Sequence, residues 1–357
     1  MRIIVNALSG NGDALMFSPS LRLLKERFPD AEIDMLAMFK SVKQMYSHSP
    51  FLNEIHFIDF LRQSKAKSLA QISKIRKRHY DIGINVYPAN RYEYNVLNYL
   101  IGAKARISHH YTHTKFNRME WLNNILVNET PDRHNVLQNL DLVKQITPVS
   151  DYNAGGLEIF LSDEDKEKAA GWIEEINPDG KLLVGFHAGS STLKNHIHKR
   201  WDADRYVEIG KMLMKNNNAK IMLFGIEHDV NNYIYEKMDG EAVIASTSNY
   251  MDSMARMAHC GLFISNDTAF MHSAAAFKIP TVAVFAYTNY MELYPWQTEH
   301  FIVRRLLGCS PCFYNSPKPV ECIWQGADEF MCIRQISVQE VYNGCRKLLG
   351  YPHEYEY

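Results

Sequence analysis

The chain has 357 residues, of which 46% are hydrophobic and 22% charged, and a formal net charge of −1. That balance fits a soluble globular protein of two ordinary domains and excludes a general electrostatic drive toward nucleic acid. There is no run of about 18 apolar residues, and the first residues lack an apolar core with a small-residue cleavage site. Neither a transmembrane helix nor a signal peptide is therefore expected, and the cytoplasm is the expected compartment.

The first strand is expected at Ile3–Val5, followed by the turn Ser9-Gly10-Asn11-Gly12-Asp13 and a stretch at helical spacing from Ala14 to Phe28. Further strands are expected at Glu32–Leu36, Glu54–Ile58 and Asp81–Val86, with helices at Pro19–Phe28, Lys40–His48 and Phe60–Arg78 between them. Alternation of this kind implies a parallel sheet covered by helices on both faces. It continues through Tyr92–Ile101 and Gly102–Ser108. Residues 109–153 are polar and rich in His and Asn, and helices are expected there at Phe116–Leu126 and Arg133–Gln145. The stretch 61–78 holds seven basic residues and no acid: Arg62, Lys65, Lys67, Lys74, Arg76, Lys77 and Arg78. Such a stripe fits an anionic acceptor or the inner membrane surface, and equally a solvated helix face.

Ser162–Glu175 reads as a capped helix and Pro178-Asp179-Gly180 as a turn. A second α/β pattern follows: strand Leu182–Phe186, helix Asp202–Lys215, and strands Ala219–Phe224, Gly261–Ile264 and Thr281–Phe285. The domain break falls between 150 and 180, giving a Rossmann-like N-terminal domain at 1–165 and a C-terminal domain at 166–357. A last helix, 337–349, either stays in the second domain or packs back on the first. The expected class is α/β, with two nucleotide-fold lobes facing one another across a cleft.

The most telling segment is Ser265-Asn266-Asp267-Thr268-Ala269-Phe270-Met271-His272, between an apolar strand and an Ala-rich helix. A helix opening leaves backbone N–H groups unpaired and carries partial positive charge, so it attracts phosphate. Asp267 and Thr268 are expected to cap that helix, which is also the plainer reading of the segment. Four of the six cysteines, Cys309, Cys312, Cys322 and Cys332, fall within 24 residues at spacing C-x2-C-x9-C-x9-C. In a cytosolic chain four thiolates can hold Zn²⁺ or iron, in a closed and therefore structural site; reduced, partly buried thiols are the alternative.

Several collinear segments resemble the family 9 glycosyltransferases, the heptosyltransferases of lipopolysaccharide core assembly. They are Ser9-Gly10-Asn11-Gly12-Asp13 with Pro19 and Leu21-Arg22; Gly102-Ala103-Lys104-Ala105-Arg106-Ile107; His187-Ala188-Gly189-Ser190-Ser191 with Lys199-Arg200-Trp201; Ser265-Asn266-Asp267-Thr268 with His272; and the cysteine-rich tail. The chain departs from the family at Ala269, where glycine is usual, and in a longer, basic stretch at 192–198. The resemblance implies a GT-B fold and an inverting single displacement from a nucleotide-diphosphate sugar, with no metal or other cofactor needed for the chemistry. It implies an ADP-sugar donor, an anionic glycolipid acceptor and peripheral contact with the inner membrane. Such chemistry needs a base for the acceptor hydroxyl and neutralisation of the leaving diphosphate.

Asp13 is the candidate base, Lys199 the counter-charge for the diphosphate, and Ser190, Ser191, Thr268, Ala269 and His272 further donor contacts beside Asp267. An acidic residue after a strand commonly holds a ribose, which makes Asp229, ahead of Glu227, the candidate for that role. Arg91, Arg106, His109, His110 and Lys115 are candidates for the acceptor side. The alternatives are transfer to protein hydroxyls of a bacterial surface protein, a dinucleotide oxidoreductase, and a non-catalytic nucleotide-sugar binder. Against the oxidoreductase, Leu15 occupies the third glycine position of G-x-G-x-x-G.

Overall fold

A computed structural model describes residues 1–111, 118–147, 153–314 and 318–351. The chain divides into two compact units, Met1–Phe160 and Leu161–Tyr357. In the first, strands β1 (Arg2–Ala7), β2 (Glu32–Ala37), β3 (Glu54–Phe57), β4 (Ile82–Asn85), β5 (Ala105–His110) and β6 (Ile125–Asn128) form one parallel sheet in the order β3-β2-β1-β4-β5-β6. In the second, β7 (Leu182–His187), β8 (Ala219–Leu223), β9 (Val243–Ile244), β10 (Leu262–Asn266), β11 (Thr281–Phe285) and β12 (His300–Arg304) form another, in the order β12-β11-β10-β7-β8-β9. Counted within its own unit, each sheet has the same doubly wound strand order. The central strands are buried along most of their length, β4, β10 and β11 throughout, as a sheet covered on both faces requires.

In such a sheet the crevice for ligands opens outside the carboxyl ends of the strands where the winding reverses. That point lies between β1 and β4 in the first unit and between β7 and β10 in the second. The turn with Asp13 follows β1, and the Asp267–His272 segment follows β10. Both therefore start at a switch point.

The structure corrects several sequence expectations. In place of a helix at Phe116–Leu126 there is a single 3₁₀ turn, Glu120–Leu122, and then strand β6; residues 112–117 lie outside the described residues. The run Ile125–Val127 pairs with β5, and that tertiary ladder overrides the helical spacing. The stretch Ala14–Phe28 splits into helices Asn11–Leu15 and Ser18–Arg27, with Pro19 in the first turn of the second, where its missing N–H does no harm. The basic helix is shorter than expected, Lys65–Arg76, because the Ser64 hydroxyl caps it by accepting from the Lys67 N–H. The C-terminal helix Val338–Leu348 packs on β11, β12 and helix Ala203–Asn217, all in the second unit.

The core of the first unit contains a network of amides. Asn6 on β1 donates to Asn85 on β4 (3.1 Å) and to Asn98 of helix Tyr92–Ile101 (3.0 Å). Asn85 donates to Asn95 (3.1 Å), and Asn98 to Asn123 (2.9 Å). All five side chains are buried. They tie β1 to β4 directly beneath the switch point.

Candidate functional site

At the second switch point, β7 and β10 run side by side with Ser265 in register with His187. The side chain of Asn266 staples the two exits together. Its Nδ2 donates to the carbonyls of Ala188 (3.0 Å) and Gly189 (3.1 Å), and its Oδ1 accepts from the Trp201 N–H (2.9 Å). The loop after β7 and the segment 199–201 are thus held against the end of β10.

Lys199 Nζ lies 3.1 Å from Asp267 Oδ2, which also accepts from the Thr288 hydroxyl at 2.8 Å. Asp267 is buried and Lys199 nearly so. Burial would raise the Asp267 carboxyl, but the Lys199 ammonium and the Thr288 hydroxyl outweigh it and hold the group below its ordinary value. Asp267 does not cap the helix; it holds the lysine. His272, one turn along helix Ala269–Ala276, is buried, and its Nδ1 has no hydrogen-bond partner among the described residues. Burial pushes its pKa from 6.5 down to about 4, with Asp267 opposing and Lys199 assisting, so the ring is neutral at pH 7.

This carries a stability consequence. Between about pH 6.5 and 4 the unfolded chain takes up a proton at His272 that the folded chain refuses, so stability is present at neutral pH and is lost as pH falls through that window. His272→Gln is expected to remove up to roughly 3 kcal/mol of that acid loss, read as the difference in unfolding free energy between about pH 7 and 4. A variant with the wild-type pH slope would contradict the neutral buried ring.

Thr268 begins helix Ala269–Ala276, yet its hydroxyl makes no capping bond. It faces His187, with Oγ1 and Nδ1 2.8 Å apart, and the ring's Nε2 lies 3.6 Å from Glu227 Oε2. Burial would raise the Glu227 carboxyl, but His187 and, more weakly, Arg200 hold it below its ordinary value. Two glycines admit this carboxylate. Gly225 has φ +111°, and a Cβ there would sit 2.5 Å from Glu227 Oε2; a Cβ at Gly189 would clash with the same carboxyl group. Asp229, the acid favoured from sequence, is exposed in the first turn of helix His228–Lys237. Of the two acids after β8, the fold brings Glu227 to the cluster.

Ser190 is buried; its hydroxyl donates to the His196 carbonyl (2.8 Å) and accepts from Arg200 Nε (3.1 Å). Ser191 is exposed and accepts from the Leu193 N–H (3.1 Å). Ala269 is the first residue of its helix and half-buried. His187 and Thr288 were not singled out as contacts from sequence. The usable signal for His187 was its place as the last residue of a buried strand; Thr288 lies 21 residues from Asp267, and only the fold relates them.

In the first unit Asp13 is half-buried in the short helix Asn11–Leu15, and its Oδ2 accepts from the Gly10 N–H at 3.1 Å. Ser9 donates to the Pro88 carbonyl beyond β4 (2.7 Å). Tyr94 stands close by: burial pushes its phenol up to about 12, with Arg91 opposing and the Asp13 carboxylate adding to the rise. Among the other acceptor-side candidates, Arg91 pairs with Glu93 and His110 with Glu120, Arg106 donates to the Leu122 and Ala103 carbonyls, and His109 is fully buried in β5. Lys115 lies outside the described residues.

Cys309, Cys312, Cys322 and Cys332 are free thiols lining one cavity beside Tyr287 and Phe330. Burial and the neighbouring sulfurs raise the Cys312 thiol, and they push Cys332 up to about 11. The donor set suits a thiophilic ion in kind. In spacing it is open: among the described residues the group whose ligand atoms approach within 4.8 Å is Asp34, Glu54 and His56, not the sulfurs. That acidic group is already balanced by Arg78, 2.8 Å from Asp34 and 2.7 Å from Glu54.

Two parallel sheets, each with polar and charged groups gathered at its switch point, define a doubly wound α/β architecture. The family model for glycosyltransferase family 9 (heptosyltransferase) matches residues 68–322, and the chain belongs to that family. It is similar to a lipooligosaccharide heptosyltransferase 2 of Campylobacter jejuni, 23% identical over 365 residues that span 99% of this chain and 100% of that protein. A solved family 9 glycosyl transferase from Veillonella parvula has a TM-score of 0.76 at 20% identity, covering 98% of this chain and 97% of the other. The Escherichia coli ADP-heptose LPS heptosyltransferase II gives 0.75 at 20% identity, covering 98% of each chain. The fold is GT-B, and the protein is a glycosyltransferase. No helix among the described residues is long and apolar enough to cross a membrane.

Proposed function

We propose that the protein transfers heptose, or a similar sugar, from an ADP-sugar to a lipopolysaccharide core-type acceptor with inversion at the anomeric carbon. The observation that carries this reading is the buried Lys199–Asp267 pair set beside the uncapped start of helix Ala269–Ala276. An ammonium and free helix amides at one point suit a diphosphate leaving group. Neutral His272 adds a hydrogen-bonding ring without a repelling or competing charge. Glu227 is the acid suited to the ribose, in preference to the exposed Asp229. Ser190 shapes the loop and Ser191 offers an exposed hydroxyl. Asp13 is the base that accepts the acceptor hydroxyl's proton as the C–O bond to the leaving diphosphate breaks and the new glycosidic bond forms. The named relatives act on lipooligosaccharide or lipopolysaccharide, which favours a glycolipid acceptor over protein hydroxyls.

The test is incubation with ADP-heptose and a heptose-deficient core glycolipid, with mass analysis of the product. A gain of one heptosyl unit with release of ADP is expected. A protein that binds neither ADP nor its sugar conjugate, or that modifies only protein hydroxyls, would overturn the reading.

The basic helix supports a peripheral membrane contact. Of the seven cations in residues 61–78, Arg78 is engaged by Asp34 and Glu54, and Arg76 donates to the Leu100 carbonyl. Arg62, Lys65, Lys67, Lys74 and Lys77 have no carboxylate partner among the described residues, and Leu61 and Leu69 beside them are 65% and 54% exposed. Binding to phosphatidylglycerol vesicles at low salt is expected, with release at about 0.5 M salt where the screening length is short. Lys65→Glu with Lys74→Glu should abolish sedimentation with the vesicles; unchanged sedimentation would remove the contact.

The cysteine cluster is read as a structural thiol site for Zn²⁺ or iron, outside the chemistry. Metal analysis of the purified protein is expected to find about one ion per chain, lost in Cys312→Ser with a lower melting temperature. A metal-free protein with full activity would retire the site.

A further inference from the structure

We propose that His187 is a positioning residue that links the ribose and phosphate halves of the donor site, an inference that rests on the function proposed above. Its ring is buried and stacked on Phe270, with centroids 4.3 Å apart and planes 22° from parallel, so it has little freedom to turn. One ring nitrogen faces the Thr268 hydroxyl at 2.8 Å and the other faces the Glu227 carboxylate at 3.6 Å. The two partners come from different strand exits: Glu227 follows β8, and Thr268 follows β10.

The network sets the tautomer. A carboxylate can only accept, so Nε2 carries a hydrogen toward Glu227, and in the neutral ring Nδ1 accepts from the Thr268 hydroxyl. Each contact has a separate consequence. Toward Glu227, the ring fixes the direction of the carboxylate that the glycines at 189 and 225 allow to lie so close. Toward Thr268, the ring draws off a hydroxyl that would otherwise cap helix Ala269–Ala276, which is the usual role of threonine at that position. The Met271 N–H already bonds the Thr268 carbonyl (3.1 Å), and the Ala269 and Phe270 amides ahead of it are thereby left for an anion. His187 touches neither ligand half itself; it orients one group and withholds another.

The test uses three ligands and substitutions that separate the two contacts. An asparagine amide reaches roughly the position of Nδ1, and a glutamine amide roughly that of Nε2. In His187→Asn, ADP and adenosine affinities are expected to fall about tenfold or more, with pyrophosphate within about twofold, because the 3.6 Å contact with the Glu227 carboxylate is lost. In His187→Gln, ADP and pyrophosphate are expected to weaken about tenfold, with adenosine unchanged, because the freed Thr268 hydroxyl caps the helix. Adding Thr268→Val to His187→Gln removes any hydroxyl that can cap and should restore pyrophosphate binding. A purely structural role would not show that rescue.

Equal loss for all three ligands in both variants, no loss in either, or failure of the rescue would overturn the proposal. Should the His187 variants not fold, ring-nitrogen NMR of the wild-type protein decides: a hydrogen on Nε2 with none on Nδ1 supports the proposal, and a hydrogen on Nδ1 overturns it. Wild-type protein that does not bind ADP would instead sink the donor assignment on which the proposal rests.

Discussion

Asp13→Ala is expected to lower turnover by about 10²–10⁴ while leaving ADP affinity within about twofold. The split follows from where the residue stands. Asp13 is in the first unit, at the exit of β1, whereas the cluster around Lys199 belongs to the second. Its carboxylate accepts from the Gly10 N–H and so closes the start of helix Asn11–Leu15. Replacing a capping acid typically changes stability by about 1 kcal/mol, well short of the expected loss of rate. Asp13→Asn is the sharper variant, because it keeps the shape and loses the basicity. Steady-state rates with a glycolipid acceptor, together with ADP affinity by calorimetry, check both halves. A variant that loses affinity and rate together, or that keeps its rate, would show that Asp13 serves only to cap the helix.

Lys199→Met is expected to act on two properties at once. It leaves the Asp267 carboxylate buried with the Thr288 hydroxyl as its remaining close partner, and breaking a buried pair from one side typically costs about 3–5 kcal/mol. It also removes the cation available to a diphosphate, so ADP affinity should fall by about tenfold or more. The two effects can be separated. In Lys199→Met with Asp267→Asn no charge is stranded, and much of the stability should return. The lost affinity should not return, because the cation is still missing. Denaturant unfolding and ADP titration on the three variants provide the measurement. Recovery of ADP binding in the double variant would mean that Lys199 serves the fold and not the ligand.

Asp267 sets the acid limit of the same pair. Its carboxyl lies below its ordinary value of 3.8 in the folded chain, so its contribution to stability is complete above that pH and is lost as pH falls through the lower, folded value. The His272 loss comes earlier, between about pH 6.5 and 4. Unfolding free energy plotted against pH should thus fall in two separable ranges, and His272→Gln should remove only the first.

The alternation of short apolar runs with helical stretches was enough to read two parallel sheets, since such strands need no partner pattern beyond burial on both faces. β1, β2, β7 and β11 lie where the sequence puts them, and helix Tyr92–Ile101 matches at both ends. Segments whose structure depends on distant pairing were not legible. β6 is an edge strand made by its neighbour, β9 is two residues long, and helix His228–Lys237 mixes polar and apolar residues without a strong stripe. The site divides in the same way. Lys199, Asp267, Thr268 and His272 could be named because they sit in short local motifs. Their pairing could not. The sequence makes Asp267 and Thr268 look like helix caps, and the fold turns one toward Lys199 and the other toward His187. The choice between Asp229 and Glu227 rested on which carboxylate points inward, and the glycines at 189 and 225 that admit Glu227 come from two separate strand exits.

The asparagines beneath the first switch point set how that region can move. Hydrocarbon side chains slide past one another with little change in energy, but an amide lattice has a fixed tally of donors and acceptors. Displacing β1 against β4 by even a fraction of a strand repeat would strand several of them in a dry interior. The loops leaving those strands are consequently mounted on a floor that does not shear. On the proposed assignment of Asp13 as the base, the strand end from which its helix departs keeps a fixed place against β4.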